Sequence, residues 1–501
     1  MHRPPSAEAE IAAELAEVAP ALVPRYAAGL PGARAAVLTR LWRALAYEPL
    51  PWVSGRDAAG DGLVLRLGDG RLLDGPRADP YATAAYVTSV RLDGTVYDDP
   101  VRLLTDLAVP HGEAFTSELG HGVASLALAR ADREFHPEEW PEHDWEWEQR
   151  VVDGHPFHPN CRSRPGFSVA EQLAYGPEHR PLVPLARVAV RADRCLVTGR
   201  WPDELRDGDR LLVPVHPWQA EHVLKQPYGD WVDAHPLMSL RTLAVPGGPH
   251  VKTALSARLT SSVRDISPYS VGISDKLSRF AEDLADRLDG LVCFTRTLGA
   301  VAAGSAELAA VLREPPGRYA GRGERVVPVA ALPYTGLPAS GAWLAAFARL
   351  ALTAGLRLLD MGVALEAHGQ NLLVVLDADG SPVRLVYRDL ADIRVSPARL
   401  ARHGVPVPEL AGRIVTDEVT ALRRKLFGSL VAGALAGTAG SAPALRAALA
   451  AALPDLPVTG DLAALREEAL PTKALTLMRL SPGVAGDRWT VLPNPLRTDV
   501  F

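Results

Sequence analysis

Five consecutive apolar residues, Leu372–Leu376, run into Asp377-Ala378-Asp379-Gly380, and a second apolar run over 383–387 ends in Arg388-Asp389. Short apolar runs on either side of an Asp/Gly turn predict a β-hairpin. Asp377 and Asp379 then serve the turn itself. Glu366, His368, Gln370 and Asn371 precede the first strand, and Asp389 follows the second. With a loop symmetric about Ala378 and Asp379, position 389 pairs with position 368, so Glu, His, Asn and Asp converge at one end of a buried apolar strand. Mg²⁺ takes oxygen ligands from one or two carboxylates and from nucleotide phosphates, and an Asn beside an Asp supplies part of such a set. His368 is placed to donate to a phosphate.

A chain of 501 residues is too long for one compact core, so two or three packed subdomains are expected. With 48% hydrophobic and 22% charged residues the whole chain should fold. A net charge of -6 gives no basic field for nucleic acid, and local Arg and Lys clusters leave small anions as ligands. Cys161, Cys195 and Cys293 are widely spaced and form no CxxC, which suggests neither a disulfide framework nor a zinc site and fits a reducing cytoplasm. Residues 1–20 carry four acidic residues and no apolar core, so no export is expected. The uncharged stretch 426–445 is dominated by Gly, Ala, Ser and Thr and reads as a helix end and loop, not a membrane span.

Three regions are expected. Residues 1–145 read as a helical lobe, with helices over 33–46 and 117–130 and a strand-like stretch at 63–73. Residues 146–330 read as a mixed lobe with a sheet, in which 211–215 is a strand and 276–288 an amphipathic helix. Residues 331–501 open on a long helix, Gly341–Met361, stopped at Gly362, and carry the hairpin. The fold class is α+β.

Two further segments carry chemistry. Residues 252–278 hold Lys252, Arg258, Arg264 and Lys276 among the hydroxyls Thr253, Ser256, Thr260, Ser261 and Ser262. This inventory suits phosphate, although by itself the 252–264 stretch reads equally well as a solvated strand edge. The run His155-Pro-Phe-His158-Pro-Asn-Cys-Arg162-Ser-Arg164-Pro-Gly166, and later His216-Pro217-Trp218, put His and Arg on proline-stiffened turns. Such groups suit a site that holds several carboxylates. The plain alternatives are a turn pair for His155 and His158, a packed core histidine for His216, and lobe packing for Trp140, Trp145 and Trp147. No GxxxxGK[ST], HExxH or GxSxG motif is present.

In this order the segments resemble the NRPS-independent siderophore synthetases, the aerobactin-synthetase (IucA/IucC) family. The resemblance spans about 148–496 and includes Lys473-Ala-Leu-Thr-Leu-Met-Arg-Leu480 and Asn494-Pro-Leu. It implies a three-lobed cupped hand of thumb, fingers and palm, and an enzyme using ATP and Mg²⁺. Such an enzyme forms an acyl-adenylate from citrate or a related polycarboxylic acid and joins it to an amine or alcohol, with a homodimer as the expected assembly and no membrane partner. Ser262, Arg264, Lys276, His368, Gln370 and Asn371 are then nucleotide contacts, with Arg264, Lys276 and His368 acting in catalysis. Glu366, Asn371 and Asp389 are the Mg²⁺ residues, and His158, Arg162, Arg164 and His216 face the acid. Arg162 stands where Lys is usual, Asp265 where a small hydroxyl residue is usual, and residues 271–275 replace an Asn-Gly-Pro turn. The competing readings are a kinase-like phosphotransferase, which would release ADP in place of AMP, and a non-catalytic ferric-siderophore binding module.

Overall fold

In the computed structural model, residues 6–133, 139–259, 262–484 and 486–497 are described; of residue 262 only the backbone is. Helices and antiparallel sheets alternate along the chain, the α+β class expected.

The N-terminal region packs helices Val23–Tyr47 and Gly112–Ala131 against each other, with Leu38, Leu41, Trp42, Phe115, Leu119 and Leu126 at their interface core. The stretch read as strand-like is one part of a five-stranded antiparallel meander running from Val53–Ala59 to Thr95–Tyr97. The C-terminal segment returns to this region. Glu48 accepts the backbone N–H groups of Thr476 at 3.1 Å and Leu477 at 2.7 Å, at the start of helix Leu475–Arg479, and Tyr81 donates to Pro493 O. Lys473, just upstream, is thereby carried to the centre of the molecule.

A nine-stranded antiparallel sheet occupies the middle of the chain, in the order Cys195–Gly199, Thr297–Ala303, Ala309–Arg313, His250–Thr253, Thr242–Ala244, Gly229–Pro236, Val183–Arg191, Arg210–Val215, Arg206–Asp207. In its registers Lys252 lies opposite Val311 and His250 opposite Arg313. With a side-chain period of two, Lys252 and Arg313 therefore share a face as diagonal neighbours. Helix Pro268–Asp286 begins earlier than expected. It is capped by Ser267, and Val271, Leu277, Phe280, Ala281 and Leu284 are buried on its inner side.

The hairpin lies inside a four-stranded sheet, paired through Leu372–Leu376 with Arg325–Pro328 and through Pro382–Tyr387 with Val292–Phe294. All five residues of Leu372–Leu376 are buried. Helix Gly341–Met361 covers the sheet over the predicted span. Ser340 accepts from Trp343 N at its start, and Gly362 at φ 104° closes it, where a Cβ would meet Ser396 O at 2.9 Å. By length and composition this helix could cross a membrane, but two thirds of it is buried in the core. The stretch 426–445, expected to be a helix end and loop, is instead helical through Ala439. Its apolar side, with Leu430, Val431 and Leu435, packs into the same core, and only Gly440 and Ser441 interrupt the following helix Ala442–Ala452.

Candidate active site

The hairpin, the nine-stranded sheet, the 154–164 turns and the C-terminal segment surround a cavity of about 990 Å³. Eleven arginines and lysines and seven carboxylates line it among the described residues. This cationic excess, in a chain of net charge -6, marks the cavity as a place for anions.

The hairpin brings its polar residues to the cavity, with a register different from the expected one. Leu372 pairs with Tyr387, and Arg388 N donates to Asn371 O at 3.0 Å, so Asp389 falls beyond Asn371 and not opposite His368. The loop is asymmetric. Asp377 Oδ1 accepts from both Asp379 N and Ser381 N, and the strand register shifts between Val375 and Leu376. Convergence nevertheless holds: Glu366, His368, Gln370, Asn371 and Asp389 all line the cavity. His368 Nδ1 accepts from Gln370 N at 3.3 Å, which places the ring proton of the neutral imidazole on Nε2 as a donor. Burial lowers the pKa of His368 and keeps it neutral. Arg388 holds the loop from below, donating twice to Gln370 O.

Both carboxylates of the predicted metal set are occupied by cations. Asp389 Oδ2 lies 2.5 Å from Lys252 Nζ, and its Oδ1 lies 2.9 Å from Arg313 Nη2. Burial would raise the Asp389 pKa, but Arg313 and Lys252 hold it well below the usual carboxylate range. Glu366 Oε1 is shared by Lys473 at 3.0 Å and Lys425 at 3.1 Å. Against burial, these two lysines draw its pKa down to about 2. Burial lowers Lys252 to about 7 despite its carboxylate partner. Among the described residues no three His, Cys, Asp or Glu side chains are grouped to hold a metal; Glu366, Asn371 and Asp389 are oxygen donors of the kind Mg²⁺ takes, lining a cavity where phosphates would supply much of its shell.

Arg264 also lines the cavity. It ends the short strand Ser262–Arg264, its Nη2 donates to Leu259 O at 3.2 Å, and Arg241 donates to its carbonyl. Ser262 lies on the same strand, and its side chain is outside the described residues.

Two expected residues are elsewhere. Lys276 lies on the outer side of helix Pro268–Asp286, half-exposed, 2.9 Å from the exposed Glu409, and does not line the cavity. The helical phase set by the start at Pro268 turns it away from the side that carries Val271 and Leu277. His216 is fully buried behind the wall. Its Nδ1 accepts from Trp218 N at 3.2 Å, its ring meets Tyr175 edge-on, and burial lowers its pKa to about 3. It caps a turn, as its packed-core alternative had it.

His158, Arg162 and Arg164 do line the cavity. Burial, then Arg264 and Arg40, push His158 down to about 3, so it is neutral. The two arginines converge on the buried Glu178. Arg164 reaches it through both terminal nitrogens at 2.7 and 2.9 Å; Arg162 reaches it at 3.1 Å and also donates to Val152 O and Val151 O. Their forks thus grip the wall itself.

Residues 143–334 match the family model described as IucA / IucC family. Over these residues the chain is similar to that family. A second model, described as ferric iron reductase FhuF-like transporter, matches residues 341–486, which hold the hairpin and the Lys425 helix. Among relatives, the citryl-spermidine/3,4-dihydroxybenzoyl-citryl-spermidine:spermidine ligase of Bacillus anthracis is 26% identical over 310 residues, 49% of this chain and 50% of that protein. The chain thus spans about half the length of the curated relatives it matches. The fold extends further. The petrobactin biosynthesis protein AsbB of Bacillus anthracis superposes with a TM-score of 0.75 at 19% identity, covering 93% of this chain and 96% of that one. ATP-bound aerobactin synthetase IucA of Klebsiella pneumoniae gives 0.67 at 20% identity, over 93% and 99%.

Arg313, Arg241 and Lys425 carry no local signal in the sequence, because each reaches the site from a distant strand, turn or helix. Lys473 stands in a quoted motif, and Lys252 in the phosphate-type segment, but neither had an assigned partner.

Proposed function

We propose that this chain is an ATP-dependent ligase that adenylates a carboxylate of citrate or a related polycarboxylic acid and condenses it with an amine or alcohol, releasing AMP and pyrophosphate. One observation supports this most: a single cationic cavity receives both the Glu366 to Asp389 hairpin and the Arg264 strand, an arrangement suited to two polyanions at once. The names of its relatives, citrate-using siderophore ligases among them, point the same way.

In this reading Arg264 and the Nε2 proton of His368 bind the triphosphate, with Gln370 and Asn371 beside them. Mg²⁺, when bound, supplies charge neutralisation on the phosphates, and Asn371, Asp389 and Glu366 are the oxygen donors present for it. Lys425, Lys473 and the single ring N–H of the neutral His158 are placed for the carboxylates of the acid. A carboxylate oxygen attacks the α-phosphorus as pyrophosphate leaves. The amine nitrogen then attacks the acyl carbon, AMP departs with the bonding electron pair, and the nitrogen gives up a proton. Held cations stabilise the negative charge that develops on the phosphate in the first step.

Incubation with Mg·ATP, citrate and a panel of diamines and polyamines tests the reading through its nucleotide product. AMP and pyrophosphate formed only with an acid present are expected; ADP with a phosphorylated acceptor would replace the ligase by a phosphotransferase, and ADP with free phosphate would rule out adenylation.

A further inference from the structure

Asp389 bridges two parts of the molecule. Its backbone is the end of a hairpin strand, held in the left-handed region at φ 71°, while its two cationic partners come from adjacent strands of the nine-stranded sheet. Lys252 and Arg313 share a sheet face, so both reach one carboxylate without bending away from their ladder. Lys252 and Arg313 are nearly buried, with side chains about 10% and 13% exposed. Arg241 adds a third positive charge close by. A buried cation deprived of its partner is costly, and a buried carboxylate equally so. Neither Lys252 nor Arg313 can leave Asp389 unless an anion receives it, and Asp389 cannot be left unless a cation takes their place.

Resting on the ATP-using reading above, we infer that Asp389 is an exchangeable counter-anion. It holds Lys252 and Arg313 in the nucleotide-free protein and releases them to nucleotide phosphates only as a divalent cation takes the carboxylate, so that metal and nucleotide must enter together. A bare divalent cation approaching Asp389 meets one carboxylate among three positive side chains. Metal-free triphosphate meets cations already paired with a carboxylate that repels it. When both arrive, every charge exchanges one partner for another, and nothing is left unpaired. Glu366, capped by Lys425 and Lys473, has the same arrangement on the same cavity, so both carboxylates of the expected metal set are capped by cations.

Mn²⁺ in place of Mg²⁺, followed by the electron paramagnetic resonance signal of the free ion, measures this without turnover. Wild-type protein should bind Mn²⁺ at least tenfold more tightly with α,β-methylene-ATP than without it, within the 5–150-fold usual for coupled ligands. Lys252→Met and Arg313→Met each leave Asp389 with one cation fewer. Both variants should bind Mn²⁺ alone more tightly than wild type, with a smaller gain from the nucleotide analogue. Calorimetry of the analogue without metal should show tighter binding to Asp389→Asn than to wild type. Equal Mn²⁺ affinity with and without the analogue in wild-type protein would overturn the exchange while leaving an ATP site standing. Absence of any analogue binding, with or without metal, would overturn the ATP-using reading and the exchange together. Wild-type titrations decide the matter even where a variant fails to fold.

Discussion

Arg388 Nη1 lies 2.6 Å from Glu148 Oε1, and both side chains are buried. The same guanidinium donates through Nε and Nη2 to Gln370 O, and the other Glu148 oxygen accepts from Met238 N. One ion pair therefore ties the loop carrying His368 and Asn371 to the helix Asp144–Gln149 and to the 237–242 turn, which lines the same cavity. Breaking a buried pair by removing one member costs about 3–5 kcal/mol, because the other charge stays desolvated. Glu148→Ala should lower the unfolding free energy by that amount in urea titrations. Glu148→Gln, which keeps an acceptor, should lose clearly less. Equal and small losses for both would show that water replaces the carboxylate.

Lys276, the phosphate contact expected from the motif, should be dispensable. Its partner Glu409 is almost fully exposed, and surface pairs of this kind contribute roughly 0–1 kcal/mol. Lys276→Ala should leave the KM for ATP within about twofold and the melting temperature nearly unchanged. A tenfold rise in KM would mean that the helix turns on nucleotide binding and brings the lysine inward.

The parts of this site that were readable in sequence are those set by local signals. The hairpin announces itself through two apolar runs and an Asp/Gly turn, and helix Gly341–Met361 through its length and the terminal Gly362. The register was misplaced because Asp377 draws Ser381 into the turn, which lengthens the loop on one side only. Lys276 lies away from the cavity: spacing within a motif does not give the phase of a helix that starts at Pro268. The Glu366 clamp depends on Lys425 and Lys473, the latter 107 positions away along the chain, and no local pattern encodes such a meeting.

Glu48 predicts an unusual pH dependence. Burial lifts its pKa from 4.5 to about 7, although the N–H groups of Leu477 and Thr476 oppose the rise. A carboxylate raised on folding leaves the protein most stable below the ordinary pKa, where the group is protonated in both states. That stability is lost as pH climbs from about 4.5 to about 7 and is flat beyond. At about 1.4 kcal/mol per pKa unit the loss is on the order of 3 kcal/mol. Glu48→Gln, neutral throughout, should lack this slope. Urea midpoints measured at pH 5, 6, 7 and 8 for both proteins give the difference, and parallel curves would refute it.

Arg164 offers the sharpest test of what the proline-stiffened turns do. Both its terminal nitrogens reach Glu178, which Arg162 also contacts, and the group is almost completely buried. Burial would raise the Glu178 pKa, but Arg162 and Arg164 hold it well below the usual carboxylate range, so the triad is charged. Arg164→Lys keeps the charge and loses the two-pronged contact, including the Nη2 hydrogen bond to Glu178 Oε2. The expected consequence is a loss of about 1–3 kcal/mol in unfolding free energy with little change in the KM for the acid. Such a result assigns Arg164 to the wall that shapes the carboxylate pocket. A large rise in the acid KM with unchanged stability would instead mean that the substrate draws the guanidinium off Glu178, making Arg164 a direct carboxylate contact.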